Sequence, residues 1–227
     1  VTGAMAWTHD LDPIAFRLGD WPVRWYGLMY LAGYVQAMAL SLLQRSGPRL
    51  GVSAVAFLDL LFFAMLGVIF GARLGHMLFY DLAAWIDEPL RVLRMWEGGM
   101  SFHGGALGVA LAVWAWSRQH HVALGDTFDA LVPLAPLAIA CGRLGNFING
   151  ELYGTPSAVP WAMVFPLAGD TLPRHPTPLY EMAGEGVALF ALVFWFAART
   201  RPRWAVCGVF ALGYAAARLP LELLRAA

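Results

Sequence analysis

Six long apolar runs, separated by shorter polar connections, set the pattern of the chain. Each run approaches the length of a helix that crosses a bilayer, so we predict six membrane-spanning helices. They cover about residues 26–43, 55–70, 101–117, 128–142, 183–198 and 205–219. The fourth run contains Pro133 and Pro136. Because proline interrupts helical hydrogen bonding, we expect that helix to be kinked or partly broken.

The composition of the chain supports a membrane protein. Of its 227 residues 59% are hydrophobic and 13% are charged, and the mean hydropathy is +0.60. These values exclude an ordinary soluble domain, in which about 25% of residues are charged. Ten tryptophans and seven tyrosines suit the aromatic belts at the membrane surfaces. The predicted fold class is therefore all-α, a polytopic membrane helix bundle that forms a single transmembrane domain over residues 1–227.

Charged residues in the connections predict which ends of the helices face the cytoplasm. All 15 basic residues are arginines, and the connections after the first, third and fifth runs carry the arginine excess. Since such loops stay in the cytoplasm, the other connections and the amino-terminal segment 1–25 should lie outside. The proline- and glycine-rich connection 149–180 should form an outer cap. Residues 1–20 lack the pattern of a cleavable signal, so none is expected.

A polar cluster follows the fourth run at residues 142–151, with the sequence Gly-Arg-Leu-Gly-Asn-Phe-Ile-Asn-Gly-Glu. An ionisable group near bilayer depth costs about 2.5 kcal/mol or more unless it is paired or hydrated, so the cluster is a candidate site. Arg143 could hold a lipid phosphate with its guanidinium fork, helped by backbone N–H groups of a glycine-rich turn. The alternative is a structural ion pair between Arg143 and Glu151 or another outer acid.

Further candidates lie toward the same predicted outer face. His103 stands among four glycines, where its imidazole could accept a thiol proton or only cap a helix. Tyr26 on its own would be an aromatic-belt residue. Tyr214 and Arg218 are four residues apart and share a helix face, and Arg218 could bind a phosphate or pair with Glu222. One outer pocket could hold all the candidates, namely Tyr26, His103, Arg143, Asn146, Tyr214 and Arg218.

Two other features leave alternatives open. Glu181 and Glu185 could cap the fifth helix or pair with Arg143. Residues 71–76, Gly-Ala-Arg-Leu-Gly-His, resemble the start of the polar cluster at 142–146, either through an internal repeat or by chance.

The two cysteines, Cys141 and Cys207, lie in or beside apolar runs and are expected to be buried thiols rather than a disulfide. No residues show the spacing of metal ligands. We therefore expect neither a metal nor a cofactor.

Taken together, these motifs resemble the bacterial prolipoprotein diacylglyceryl transferases. The resemblance rests on the long motif at residues 142–151 with Gly154, and on shorter motifs in family order at residues 25–30, 98–105, 175–181 and 213–222. It covers the chain from about residue 10 to its end.

The resemblance implies a multi-pass enzyme of the bacterial cytoplasmic (inner) membrane, with its active site toward the periplasmic side. Such an enzyme transfers the diacylglyceryl group of phosphatidylglycerol to the thiol of the lipobox cysteine in a prolipoprotein. A thioether forms and glycerol phosphate leaves, as the first step of lipoprotein maturation. The implied partners are phosphatidylglycerol, the lipobox peptide and the lipid bilayer, without nucleic acid.

The resemblance also suggests roles for the candidate residues. His103 would be the base or the group that orients the thiol, and Arg143 with Arg218 would clamp the phosphate. Tyr26, Asn146 and Glu151 would orient the headgroup and the arginines. The expected catalytic residues are Tyr26, His103, Arg143 and Arg218. The expected substrate-binding residues are Arg143, Asn146, Glu151, Gly154 and Tyr214.

Two departures from the family pattern stand out. Pro178 occupies a position where the family usually has glutamine, and the chain stops at Ala227 before the family's seventh span. We expect either a shortened chain or a natural six-span variant. Two rival functions are a non-catalytic phospholipid-binding or translocating protein and a membrane phosphotransferase that acts on the same headgroup.

Overall fold

The computed structural model describes residues 7–226, apart from the side chain of Trp96. Helices dominate it, which confirms the predicted all-α class. The helices are α1 (Trp25–Leu43), α2 (Ser46–Arg49), α3 (Ala54–Phe79), α4 (Leu82–Asp87), α5 (Phe102–Gln119), α6 (Leu124–Leu131), α7 (Ala135–Ile148), α8 (Thr177–Glu181), α9 (Leu189–Ala197) and α10 (Ala205–Glu222). Short 3-10 helices cover Pro89–Leu93, Met95–Glu97, Val132–Leu134 and Pro166–Ala168, and a π-helix covers Met182–Ala188.

Five helical stretches among the described residues are long and apolar enough to cross a membrane, as expected of a multi-pass membrane protein. They are Trp25–Leu43, Ala54–Phe79, Leu124–Ile148, Thr177–Ala197 and Ala205–Glu222. The predicted third span also forms a helix, α5, but polar residues at both of its ends keep it out of this set. The stretch Leu124–Ile148 contains the predicted irregularity, since a 3-10 turn at Val132–Leu134 separates α6 from α7.

By its internal contacts the chain forms two compact units. The first unit comprises Val1–Ala39 with Leu131–Ala227, and the second comprises Leu40–Ala130.

Close packing of α3 against α5 organises the second unit. A Cβ built on Gly67 would lie 2.5 Å from the carbonyl oxygen of Gly108, and one built on Gly75 would lie 2.8 Å from the Cα of Gly104. The two backbones therefore touch where side chains are missing, as small residues allow in membrane helices. This contact explains why α3 runs to Phe79, nine residues beyond its predicted end. Its later glycines serve helix packing and do not end the helix.

In the first unit, small residues also bring helices together. A Cβ on Gly33 of α1 would lie 3.1 Å from the Cα of Ala138 on α7, and a Cβ on Gly186 would lie 2.9 Å from the Cα of Ala140. Apolar packing between α9 and α10 adds a core. Its buried members are Leu189, Val193 and Val206.

Five short strands, all in the first unit, lie within the segments 1–25 and 149–180 that were predicted to be extramembranous. They are β1 (Trp7–Thr8), β2 (Ile14–Leu18), β3 (Trp21–Arg24), β4 (Met163–Val164) and β5 (Pro173–Arg174). Strand β4 lies between β1, which is parallel to it, and β5, which is antiparallel. Strands β2 and β3 form an antiparallel hairpin, with Leu18 opposite Trp21. The first sheet ties the amino-terminal strand to the 149–180 connection.

Candidate functional site

Four charged side chains meet in the first unit. The guanidinium of Arg143, on α7, lies 3.1 Å from a carboxylate oxygen of Glu181 and 3.2 Å from one of Glu185. The guanidinium of Arg218, on α10, lies 2.5 Å from Glu181 and 3.3 Å from Glu185. Each carboxylate thus contacts both arginines. We call these four residues the arginine–glutamate cluster.

Burial differs sharply between the two halves of this cluster. The side chains of Glu181 and Glu185 are 1% and 0% exposed, whereas those of Arg143 and Arg218 are 20% and 21% exposed. A buried carboxylate needs a charged partner, because leaving one unpaired costs about 3–5 kcal/mol. The glutamates therefore hold the arginines in place while part of each arginine side chain stays accessible.

Local sequence explains how the carboxylates reach this position. The Met182–Ala188 segment is a π-helix, a rare geometry that is frequent at functional sites. Glu185 lies within it between two glycines. A Cβ on Gly184 would lie 3.6 Å from Ala217 on α10, and Gly186 lies against Ala140 on α7. The glycines admit both neighbouring helices closely, and Glu185 reaches the arginines of both.

Arg218 has a third acidic partner. Its Nη2 lies 2.7 Å from Glu222, one turn later on α10, and the Glu222 side chain is 56% exposed. The ion pair that the sequence left open for Arg218 is therefore present. It occurs together with the two buried pairs.

Glu151 has different partners from those considered in the sequence. Its Oε1 accepts hydrogen bonds from the side-chain amides of Asn146 at 2.8 Å and Asn149 at 3.2 Å. Arg143 instead pairs with Glu181 and Glu185, so its suggested pairing with Glu151 is not the one formed.

The expectation that backbone N–H groups of a glycine-rich turn lie beside Arg143 is wrong. Helix α7 continues to Ile148, so Arg143 and Asn146 lie inside it. The first left-handed residue after the helix is Gly150, with φ of 69°. Backbone N–H groups inside a helix bind carbonyls one turn earlier, and only the side chains are free to contact a ligand.

Tyr26 and Tyr214 lie close to the residues with which they were grouped. A Cβ on Gly145 would come within 3.0 Å of the Tyr26 ring, so this glycine lets the tyrosine rest on α7. The Tyr26 hydroxyl interacts with Asn146 and lies 3.1 Å from that of Tyr30. The Tyr214 hydroxyl interacts with Arg143.

Gly154 lies where three segments of the first unit meet. Its N–H donates to the carbonyl of His175 at 2.8 Å, and it forms a β-bridge with Arg225. A Cβ here would lie 2.5 Å from the carbonyl oxygen of Leu224, 2.8 Å from Thr177 and 2.9 Å from His175. Only glycine fits.

His103 belongs to the second unit. It lies in the first turn of α5, after Ser101, whose side chain caps the helix by accepting from the N–H of Gly104 at 3.3 Å. The His103 ring is exposed and meets Phe102 edge-on at 5.7 Å. The first unit thus contains seven of the eight predicted catalytic or substrate-binding residues. The meeting of His103 with them stays a prediction.

Sequence reasoning missed Arg73 as a residue of interest in its own right. It is the largest fully buried side chain among the described residues, at 1% exposure. The feature of the sequence that could have identified Arg73 is the resemblance of residues 71–76 to residues 142–146. Within residues 7–226, no group of three or more histidine, cysteine or acidic side chains is arranged to hold a metal ion.

Comparison of the sequence with known proteins shows the family to which the chain belongs. The family model described as prolipoprotein diacylglyceryl transferase matches residues 13–227. A phosphatidylglycerol–prolipoprotein diacylglyceryl transferase of Coxiella burnetii (strain RSA 331 / Henzerling II) is 50% identical over 221 residues, covering 97% of this chain and 84% of the relative.

Two further relatives carry the same name. That of Dechloromonas aromatica (strain RCB) is 50% identical over 95% of this chain and 83% of its own length. That of Cupriavidus pinatubonensis (strain JMP 134 / LMG 1197) is 46% identical over 95% of this chain and 79% of its own length. The chain belongs to the prolipoprotein diacylglyceryl transferase family.

Proposed function

We propose that the chain transfers the diacylglyceryl group of phosphatidylglycerol to the cysteine thiol of a prolipoprotein lipobox. Family membership supports this reaction, and the arginine–glutamate cluster is the observation that carries the mechanism. It presents two permanently charged guanidinium groups, on arginine side chains that are 20% and 21% exposed, in a membrane protein. A planar guanidinium can donate two parallel hydrogen bonds to two oxygens of one phosphate.

In the proposed reaction, the sulfur of the cysteine thiolate attacks the glyceryl carbon that carries the phosphate. The S–C bond forms, the C–O bond to phosphate breaks, and the electron pair stays with the departing glycerol phosphate. Arg143 and Arg218 would stabilise the charge that this leaving group gains. Glu181 and Glu185 each contact both guanidinium groups and fix their positions, so little reorganisation would be needed when the phosphate binds.

The thiol must lose its proton before attack, since a free cysteine has a pKa of about 8.5 and the thiolate is the nucleophile. We assign this role to His103, as base or as the group that orients the thiol. Its ring is exposed and so free to meet a substrate.

Tyr26, Asn146 and Glu151 form a connected polar group beside Arg143 on α7. We assign them to the lipid headgroup and Tyr214 to the orientation of Arg143. On Arg218, the exposed Glu222 is the partner that a phosphate would displace at least cost, because an exposed ion pair contributes only about 0–1 kcal/mol. Gly154 would keep the connection after α7 in place.

The setting proposed for this reaction is the bacterial inner membrane, with the active site toward the periplasm. The arginine excess in alternate connections supports this orientation. In it, residues 1–25 and 149–180 lie outside, the latter as a cap, and residues 1–227 act as one transmembrane domain.

A mass measurement tests the function. The protein is incubated in phosphatidylglycerol vesicles with a peptide that carries a lipobox cysteine, and a serine peptide serves as control. We expect the cysteine peptide alone to gain the mass of a diacylglyceryl group. Release of phosphate without peptide modification would instead indicate a phosphotransferase, and lipid binding without turnover would indicate a binding or translocating protein.

A further inference from the structure

Arg73 is a buried cation that the mechanism above does not use. It lies in the last third of α3, in the second unit, and is 1% exposed. Burying an ionised group is expensive unless every donor finds a partner. The position of its partners therefore shows what the residue holds.

The Arg73 guanidinium donates only to backbone carbonyls in the part of the chain that is described. Its Nη2 donates to the carbonyls of Arg91 at 2.8 Å and Arg94 at 2.9 Å, and its Nε donates to that of Val92 at 3.3 Å. Its Nη1 donates to the carbonyls of Gly98 and Gly99. One side chain thus gathers five carbonyls from the segment 91–99.

This segment has little regular structure to hold it otherwise. It consists of 3-10 turns at Pro89–Leu93 and Met95–Glu97, followed by Gly98 and Gly99. Both glycines have left-handed backbones, with φ of 76° and 77°. Over residues 81–99, four acids face two arginines, so the segment also has a formal charge of −2 that attracts a buried cation.

The held segment leads directly into the helix turn that carries His103. Next to Arg73, the carbonyl of Ala72 accepts from the N–H of Ser101 at 2.9 Å. Ser101 is buried and caps α5. Consecutive residues of α3 therefore fix the backbone on the approach to His103, Arg73 at residues 91–99 and Ala72 at residue 101.

We propose that Arg73 is a positioning residue for diacylglyceryl transfer, which holds the segment 91–99 so that the first turn of α5 presents His103 to the thiol. This inference rests on the proposed function. It does not place Arg73 in contact with substrate. A displacement of about 1 Å at a reacting group can lower a rate about 100-fold, so the effect should be measurable.

The test compares Arg73→Lys and Arg73→Met with the parent in phosphatidylglycerol nanodiscs. Lysine keeps the charge but has one nitrogen with three donors, and methionine keeps the volume alone. We measure kcat for the lipobox peptide, the affinity for phosphatidylglycerol, and amide hydrogen exchange over residues 91–105. The value of kcat is normalised to protein that binds lipid, which removes any misfolded fraction.

We expect kcat to fall about tenfold or more in Arg73→Met and less in Arg73→Lys, with lipid affinity within about twofold of the parent. Exchange over residues 91–105 should rise in the same order. Arg118→Lys, an exposed arginine at the end of α5 in the same unit, is the matched control and should leave all three quantities unchanged.

Unchanged exchange in Arg73→Met would overturn the inference, and so would a normalised kcat equal to that of the parent. Parallel loss of kcat and lipid affinity would also overturn it, because Arg73 would then only support folding. If the parent itself does not modify the peptide, the proposed function fails. The exchange measurement then still decides whether Arg73 anchors the segment.

Discussion

Arg73 and Arg143 occupy similar stretches of sequence but have opposite surroundings. Arg73 is followed by Leu-Gly-His and is fully buried, and its guanidinium donates hydrogen bonds to backbone carbonyls of its own unit. Arg143 is followed by Leu-Gly-Asn and is held by two carboxylates, with 20% of its side chain exposed.

The difference shows how the same side chain can be an anchor or a binding group. Five carbonyl acceptors around Arg73 leave no donor for a ligand. At Arg143 the carboxylates hold the guanidinium, and the 20% exposure of the side chain leaves room for a phosphate to approach. Residues 71–76 and 142–146 resemble each other in sequence, yet the arginines in them have different surroundings. Only the partners of each arginine show whether it can take part in chemistry.

The largest effect that this comparison predicts comes from Arg143→Ala. Loss of one stabilising donor to the leaving phosphate should lower kcat by about 1000-fold. Since Glu181 and Glu185 would then share Arg218 alone, stability should also fall by about 3 kcal/mol. Peptide mass addition and thermal unfolding measure the two losses.

A double variant separates these losses. Arg143→Ala with Glu185→Gln removes one charge of each sign, so the thermal midpoint should recover while kcat stays about 1000-fold below that of the parent. If turnover also returned, Arg143 would only support the fold and would not bind the phosphate.

Next in size is His103→Gln in the second unit. Removing a proton acceptor should lower kcat about 100-fold, because proton transfer by a positioned side chain contributes about that much or more. The exposed ring makes few packing contacts, so the unfolding midpoint and phosphatidylglycerol binding should stay at parental values. His121→Gln serves as control. Turnover near that of the parent in His103→Gln would remove this residue from the reaction.

Two glycine-to-alanine variants give a smaller effect and sharpen the contrast between the units. Gly154→Ala places a Cβ 2.5 Å from a carbonyl oxygen in the first unit, and Gly67→Ala does the same in the second. Each should lower the free energy of unfolding by about 1–3 kcal/mol. Gly154→Ala should also reduce phosphatidylglycerol affinity, whereas Gly67→Ala should not. Equal loss of affinity in both would contradict the assignment of lipid binding to the first unit.

The smallest predicted effect is at Asp170. A hydrogen bond from Arg174 at 2.6 Å, together with the N–H of Leu172, holds the pKa of the Asp170 carboxyl below its usual value. A lowered folded-state pKa stabilises the protein above the unfolded-state pKa of about 3.9, and the contribution disappears as pH falls through the folded value.

Asp170→Asn should therefore lower the thermal midpoint slightly at neutral pH and not at all in strong acid. The Asp170 side chain is 35% exposed and contacts none of the proposed site residues directly, so turnover should be unchanged. A difference in midpoint that grew as the pH fell would contradict this account of the ion pair.

Most of the helices could be predicted because apolar length alone determines them. Errors arose where glycine and arginine were taken as signs of a helix end. Gly71 and Gly75 instead pack α3 against α5, and Arg143 lies within α7. Both cases depend on contacts with residues far along the chain, which a local pattern does not contain.

The candidate site was predicted in part for a similar reason. Because they are charged at bilayer depth, Arg143 and Arg218 are expected to need acidic partners. The sequence offered four such partners, namely Glu151, Glu181, Glu185 and Glu222. The choice of Glu181 and Glu185 depends on the π-helix and on glycines that face α7 and α10. The five carbonyls that accept from Arg73 could not be predicted either. Every residue has a backbone carbonyl, so the sequence does not show which of them a side chain will contact.

The most direct test of the central claim is a structure of the protein with phosphatidylglycerol bound. The account predicts that phosphate oxygens accept hydrogen bonds from both Arg143 and Arg218 at about 2.7–2.9 Å, while Glu181 and Glu185 remain on the opposite side of the guanidinium groups. A phosphate held by other side chains, with both arginines still fully engaged by their glutamates, would contradict it.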